Sequence, residues 1–334
     1  MAQSATSRIV DVVTSICANV LGKPDIAACD NFFEIGGTPK AAGELSCEIE
    51  RRLGRSVSPV MIYHMPTIAS LTNALQDATF PQIPPLTLLK AGKVGVPLFV
   101  AHGLGGSVLE FFDLVAKLDS VRPIYGMQAK GSDGTSEPLD RIEDMAEFHL
   151  AAIRQVQASG PYFLVGHSLG GLVVLEIARR IADGGGSPGL VVMIDSYPHL
   201  KHLAPSQQVR LITRLAARRV FGRKAPPANS GSNAEKTERE QMAMPPNIQA
   251  AMRRVRERSY VALERYRPRF YNGRIRFVRA EIASVFPDDA AAVWTQYAKE
   301  FELESVPGDH FGMLTTYADK LAEVLIRYSR ELND

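Results

Sequence analysis

Pro161-Tyr162-Phe163-Leu164-Val165-Gly166-His167-Ser168-Leu169-Gly170-Gly171, residues 161–171, decides the reading of the chain. A short apolar run enters a Gly-x-Ser-x-Gly turn, and a helical pattern over 169–183 leaves it. That strand–turn–helix setting is what gives the motif chemical meaning. The sharp turn pushes the serine backbone into strained geometry, and the flanking glycines let strand and helix pack closely. The Ser168 hydroxyl then projects above a sheet at a helix N-terminus, where negative charge is favoured. The competing reading, an incidental serine in a structural turn, does not account for this context.

Outward from the motif the rhythm repeats. Short apolar runs at 97–103, 123–129, 190–195 and 274–280 alternate with helical patterns at 107–118 and 141–157. Buried strands alternating with amphipathic helices predict an α/β fold with a mostly parallel sheet covered on both faces. Residues 199–272 interrupt the alternation. They hold helical patterns at about 206–221 and 247–266, a polar stretch expected to be mobile, and sixteen basic against five acidic residues over 201–270. An insertion that leaves the core and returns before the last strands reads as a lid.

The chain before residue 78 is different. Helical spacing covers 7–20 and 39–53, with Pro39 near the start of the second pattern, and a third begins near Thr67. This is a small all-α bundle. Residues 79–96, rich in proline, are expected to be a linker, which leaves 97–334 as the α/β domain.

Bulk properties set limits. The 334 residues are 46% apolar and 22% charged with a net charge of +2, ordinary for a globular protein. No run suits a membrane span or a cleaved leader, so a cytoplasmic location is expected. Cys17, Cys29 and Cys47 fit neither a zinc site nor a redox pair and are read as small buried side chains. The basic insertion carries no recognised nucleic-acid motif. It reads either as a solvated helical face or as a surface for an acidic partner or a phosphate.

A serine nucleophile needs a base, and His310 in Val306-Pro307-Gly308-Asp309-His310-Phe311-Gly312 follows the last apolar run. Asp195 ends Leu-Val-Val-Met-Ile-Asp at a strand's carboxyl edge, where catalytic groups gather in open α/β sheets. Glu281, Asp288 and Asp289 are competitors for the acid's place. The order Ser, Asp, His suits this fold. Two donors for a developing oxyanion are expected from the N–H of Leu169 and from His102-Gly103-Leu104-Gly105-Gly106, with Leu104 the choice. No metal site is expected.

At these residues the chain resembles a known family. Pro-Leu-Phe-Val-Ala-His-Gly-Leu-Gly-Gly, Pro-Tyr-Phe-Leu-Val-Gly-His-Ser-Leu-Gly-Gly, Val-Val-Met-Ile-Asp-Ser-Tyr-Pro and Val-Pro-Gly-Asp-His-Phe-Gly-Met-Leu look like the type I thioesterase domains of nonribosomal peptide and polyketide synthases. The likeness covers about three-quarters of the chain, from about residue 86. It implies an α/β-hydrolase with a lid, and it supports the placement of the acid at Asp195. Asp30-Asn31-Phe32-Phe33-Glu34-Ile35-Gly36-Gly37 resembles a carrier domain. There the family's phosphopantetheine-bearing serine would fall at Pro39, which has no hydroxyl. Thr38 lies one place early and Ser46 two turns on. The change reads as a carrier fold that no longer carries, as one introduced to abolish loading, or as a shift of attachment to Thr38.

The resemblance implies a serine thioesterase that releases an acyl, peptidyl or polyketide chain by hydrolysis, cyclisation or transfer. It also implies no cofactor on this chain, with substrate arriving in trans on another carrier's phosphopantetheine. The partner is then a loaded carrier or an upstream module. Two alternatives stand beside it: a carrier-independent esterase and a non-catalytic docking module.

Overall fold

The computed structural model describes residues 2–77, 83–119, 122–220, 244–282 and 286–331. By its internal contacts the chain divides into two compact units, one built on Met1–Pro84 and one holding most of the remainder.

In the first unit, α1 (Ala2–Leu21), α2 (Pro39–Leu53), α3 (Pro59–His64) and α4 (Ile68–Asp77) surround a core that includes Val13, Ile16, Phe32, Leu45, Ile49, Ile62 and Leu71. Helix α3 was not legible in the spacing. Its start is marked by Ser58 as N-cap and Pro59 in the first turn, inside a continuous apolar run that hides any period. Cys17 is buried and its thiol is pushed up to about 12 by that burial, but Cys29 is exposed. The reading of all three cysteines as buried therefore holds at Cys17, fails at Cys29 and is met only in part at the half-buried Cys47. Thr38 caps α2, its Oγ1 accepting from the Ala41 N–H at 3.2 Å, and Pro39 takes the first helical position. Proline fits there because its missing N–H would have no partner anyway.

The second unit carries a seven-stranded sheet: β1 (Leu86–Lys90), β2 (Leu98–Ala101), β3 (Ile124–Met127), β4 (Phe163–His167), β5 (Leu190–Ile194), β6 (Tyr271–Ala280) and β7 (Ala298–Val306), in the order β1-β3-β2-β4-β5-β6-β7. All neighbours pair parallel except β1, which runs antiparallel to β3. Strand β1 corrects the expectation of a plain linker over 79–96. Its prolines flank the Leu-Thr-Leu-Leu-Lys run rather than interrupt it, so an edge strand can form.

Alternate residues serve opposite faces. Phe99 and Ala101 of β2 face the core shared with α6 (Ile142–Val156) and α7 (Leu169–Asp183), while Leu98 and Val100 face α5 (Phe112–Lys117) and α11 (Ala318–Arg330). This double burial is why the central strands read as unbroken apolar runs. The insertion supplies α8 (Pro205–Val220) and α9 (Pro246–Arg265). The polar stretch between them, expected to be mobile, lies outside the described residues. Leu211, Ala262 and Tyr266 bury against the main core. Glu176 of α7 is fully buried and accepts from Arg179, Arg180, Arg269 and the Tyr266 hydroxyl, which fastens the segment after α9 to α7. A buried carboxylate without such partners would be strongly destabilising. A short helix, α10 (Ala290–Trp294), precedes β7.

Close approach fixes two glycines of the motif. A Cβ at Gly166 would sit 2.2 Å from the Gly170 backbone, and one at Gly170 would sit 2.1 Å from the Ala101 carbonyl oxygen. Gly170→Ala is therefore expected to cost about 2 kcal/mol or more, since the obstacle is backbone that cannot rotate aside. A lower urea midpoint at unchanged slope would show it. Wild-type stability in this variant would refute the close-packing account.

Candidate active site

The turn between β4 and α7 holds Ser168 at φ 53, ψ −118, a positive φ that few residues other than glycine adopt. The turn is tied on both sides. The Ser168 N–H donates to Ile194 O at 2.9 Å, and the Ser196 hydroxyl donates to Ser168 O. Such strain persists only where the surroundings over-determine it. Asp195 has the same character, with φ 42 and its N–H bonded to Val278 O at 2.8 Å. Two positive-φ polar residues thus end adjacent strands.

His310 reaches Asp195 from the loop after β7. Its Nδ1 lies 2.7 Å from Asp195 Oδ2, with both residues buried. With Nδ1 as donor to a carboxylate, Nε2 keeps a lone pair for a hydroxyl proton. Burial pushes the imidazole below its ordinary range, His167 adds to this, and the hydrogen bond and charge of Asp195 act against it. The rings of Phe286 and Phe311 stand 4.7 and 5.0 Å from the His310 ring and keep its surroundings apolar. Asp309 shapes this loop: its Oδ1 accepts from the Gly312 and Phe311 N–H groups.

The competitors for the acid are engaged elsewhere. Asp288 pairs with Arg210 and Arg214, Asp289 caps α10 through the Ala292 N–H, and Glu281 is exposed while Asp195 holds the hydrogen bond to His310. Leu169 opens α7, so its N–H belongs to the first turn, whose amides have no intrahelical acceptor. Leu104 sits half-buried in the 102–106 loop. Val255 lies directly on that loop, because a Cβ at Gly106 would fall 2.3 Å from its Cγ1.

Other polar groups near the site carried no assigned role in the sequence. His102 and His149 are buried with rings 6.2 Å apart, and they line a small cavity of about 10 Å³ with Leu139, Met145, Val255 and Ser259. Burial, then the neighbouring His102, pushes His149 down to about 3, so it is neutral. Glu110, in the turn 108–111, accepts the Gly103 N–H at 2.7 Å. It was hidden inside an ordinary amphipathic pattern. Among the described residues no group of three or more His, Cys, Asp or Glu could hold a metal ion, and no helix is long and apolar enough to cross a membrane.

Comparison with known proteins places the chain in a family. The family model for the Thioesterase domain matches residues 96–330, and that for the Phosphopantetheine attachment site matches residues 11–75. The chain belongs to the thioesterase-domain family and carries a carrier-type region ahead of it, the pairing found in nonribosomal peptide synthases. A dimodular nonribosomal peptide synthase of Bacillus subtilis (strain 168) is 33% identical over 211 residues, 62% of this chain and 9% of that protein. Malpinin synthetase of Mortierella alpina is 30% identical over 206 residues, 60% of this chain and 3% of its own length. The chain thus spans less than a tenth of these relatives. A holo four-domain nonribosomal peptide synthetase solved with AMP and glycine aligns over 97% of this chain and 26% of its own, at 21% identity and a TM-score of 0.61. The NocB thioesterase domain, in covalent complex with a fluorophosphonate nocardicin G analogue, aligns over 71% of this chain and 95% of its own, at 20% identity and 0.53. These likenesses establish the α/β-hydrolase fold.

The charges around His310 predict its titration. Its imidazole should protonate below the ordinary value of about 6.5, and Asp195→Asn should lower it further by removing the charge that favours the protonated form. Histidine NMR across pH checks both. A His310 titration above the ordinary value would overturn this account of the site.

Proposed function

We propose that the chain is a serine thioesterase that releases an acyl, peptidyl or polyketide group from a phosphopantetheine carrier. The observation that carries this reading is the 2.7 Å bond from His310 to Asp195 at the edge of the strained Ser168 turn. In this reading His310 Nε2 takes the Ser168 Oγ proton as Oγ attacks the thioester carbonyl. The Leu104 and Leu169 N–H groups stabilise the oxyanion. The C–S bond then breaks, the proton passes from His310 to the leaving thiol, and the acyl group stays on Ser168. Water, activated by His310, releases a free acid. A hydroxyl or amine in its place gives a ring, ester or amide. Asp195 holds the imidazole in the useful tautomer and stabilises its charged form.

The carrier-type region enters differently. Pro39 stands where the resembling carriers have the arm-bearing serine, and its role in the fold is the first turn of α2. A pyrrolidine ring offers no oxygen for a phosphodiester. The substrate therefore arrives on the phosphopantetheine of another carrier, with a silent carrier over residues 1–78 and a working thioesterase whose sheet begins at β1, ahead of the expected bound at 97.

Intact-mass spectrometry tests both halves. Incubation with a phosphopantetheinyl transferase and coenzyme A should add nothing to the wild type and should add the arm to Pro39→Ser. An acyl thioester should leave an adduct that Ser168→Ala lacks, with turnover lower by about 10⁴-fold or more. An arm on the wild-type chain would overturn the silent-carrier reading, and an active Ser168→Ala variant would overturn the serine mechanism.

A further inference from the structure

Three separate stretches meet beside the Ser168 turn at two side chains. Glu110 Oε1 accepts the Gly103 N–H at 2.7 Å and lies 3.5 Å from His167 Nδ1. His167 is 1% exposed, and its Nε2 lies 3.0 Å from the carbonyl oxygen of His310. A carbonyl oxygen only accepts, so His167 Nε2 carries a hydrogen and donates it. The opposite ring nitrogen faces the Glu110 carboxylate and has no hydrogen-bond partner of its own. The His167 and His310 rings lie 4.4 Å apart at a tilt of 32°. Gly103 leaves room for the His167 ring, because a Cβ there would stand 3.2 Å from His167 Nδ1.

We propose that Glu110 and His167 are positioning residues, a brace that holds the oxyanion loop at Gly103-Leu104 and the backbone of the His310 base in fixed relation across Ser168. The inference rests on the serine thioesterase reading and adds to it two residues that touch no reacting atom. Glu110 anchors the Gly103 N–H, and that peptide sets the direction of the next amide, Leu104. His167 anchors the His310 carbonyl and so sets the backbone from which the base projects. Transition-state donors and a general base must keep their relative places to within about 0.5 Å. The loops carrying them come from opposite ends of the domain sequence, so a bridge of side chains is the direct means of holding them.

The pair also leaves an electrostatic signature. Besides burial, three groups act on the His310 imidazole: His167 lowers its proton affinity, while Asp195 and Glu110 raise it. Removing Glu110's charge and removing His167's ring should therefore move His310 in opposite directions. Loosened packing alone would not produce opposite shifts.

The test uses the full chain, an acyl N-acetylcysteamine thioester as substrate, and the variants Glu110→Leu and His167→Leu, which remove the acceptor and the donor. Both should lower kcat about tenfold to a hundredfold with KM nearly unchanged. The acid limb of the kcat/KM profile should move to lower pH in Glu110→Leu and to higher pH in His167→Leu. Wild-type kcat in both variants, or limbs that move together, would overturn the brace. Should one variant not fold, the other still decides, through the direction of its limb and through NMR titration of His310. Fluorophosphonate labelling of the wild type separates the two levels. No labelling at Ser168 removes the serine reading itself, whereas labelling with unaltered variants removes only the brace.

Discussion

The close passage of β4, α7 and β2 at Gly166 and Gly170 is the constraint from which the site follows. With no side chain at either position, α7 begins almost against the backbone of its own entering strand and of the neighbouring one. Within that space the chain turns with Ser168 at a positive φ. The bonds to Ile194 and from Ser196 then tie the turn to the end of β5, where Asp195 stands. One steric requirement thus places a hydroxyl and a carboxylate on adjacent strand ends before any chemistry is considered.

Charge is handled by the same economy of burial and pairing. The Glu176 carboxylate is removed from water but surrounded by three arginines and a tyrosine hydroxyl, so the helix that starts at Ser168 is clamped partway along its length. The imidazole of His310 is removed from water too, among aromatic rings, and keeps a single carboxylate partner. The first arrangement stabilises a permanent charge. The second disfavours charge at rest while leaving a partner ready for the moment when charge appears. Buried groups of similar polarity therefore serve different ends according to how many partners each has.

Much of this was legible in the sequence. The alternation of apolar runs and helical patterns located β2 to β6, because strands buried on both faces are continuous in composition. Strand β1 was missed, since its prolines suggest a linker until one sees that they bracket the strand. Helix α3 was missed because a six-residue helix is too short to show a period. The pairing of His310 with Asp195 was legible, as both lie at loop or strand ends in the order the fold demands. Glu110 was not. Its contacts are to a backbone amide seven residues earlier and a ring fifty-seven residues later, and neither leaves a mark on local spacing.

The chain contains a single tryptophan, Trp294, fully buried on α10. Its indole N–H donates to the carbonyl of Ser196 at 3.0 Å, one residue beyond Asp195 and on the residue whose hydroxyl holds the Ser168 turn. The whole indole emission of the protein therefore originates beside the strand end at Asp195, in a dry setting that favours a blue-shifted band. Nature has left an optical gauge in this structure: a shift of Ser196, from ligand or from strain, would register as a change of colour without any label.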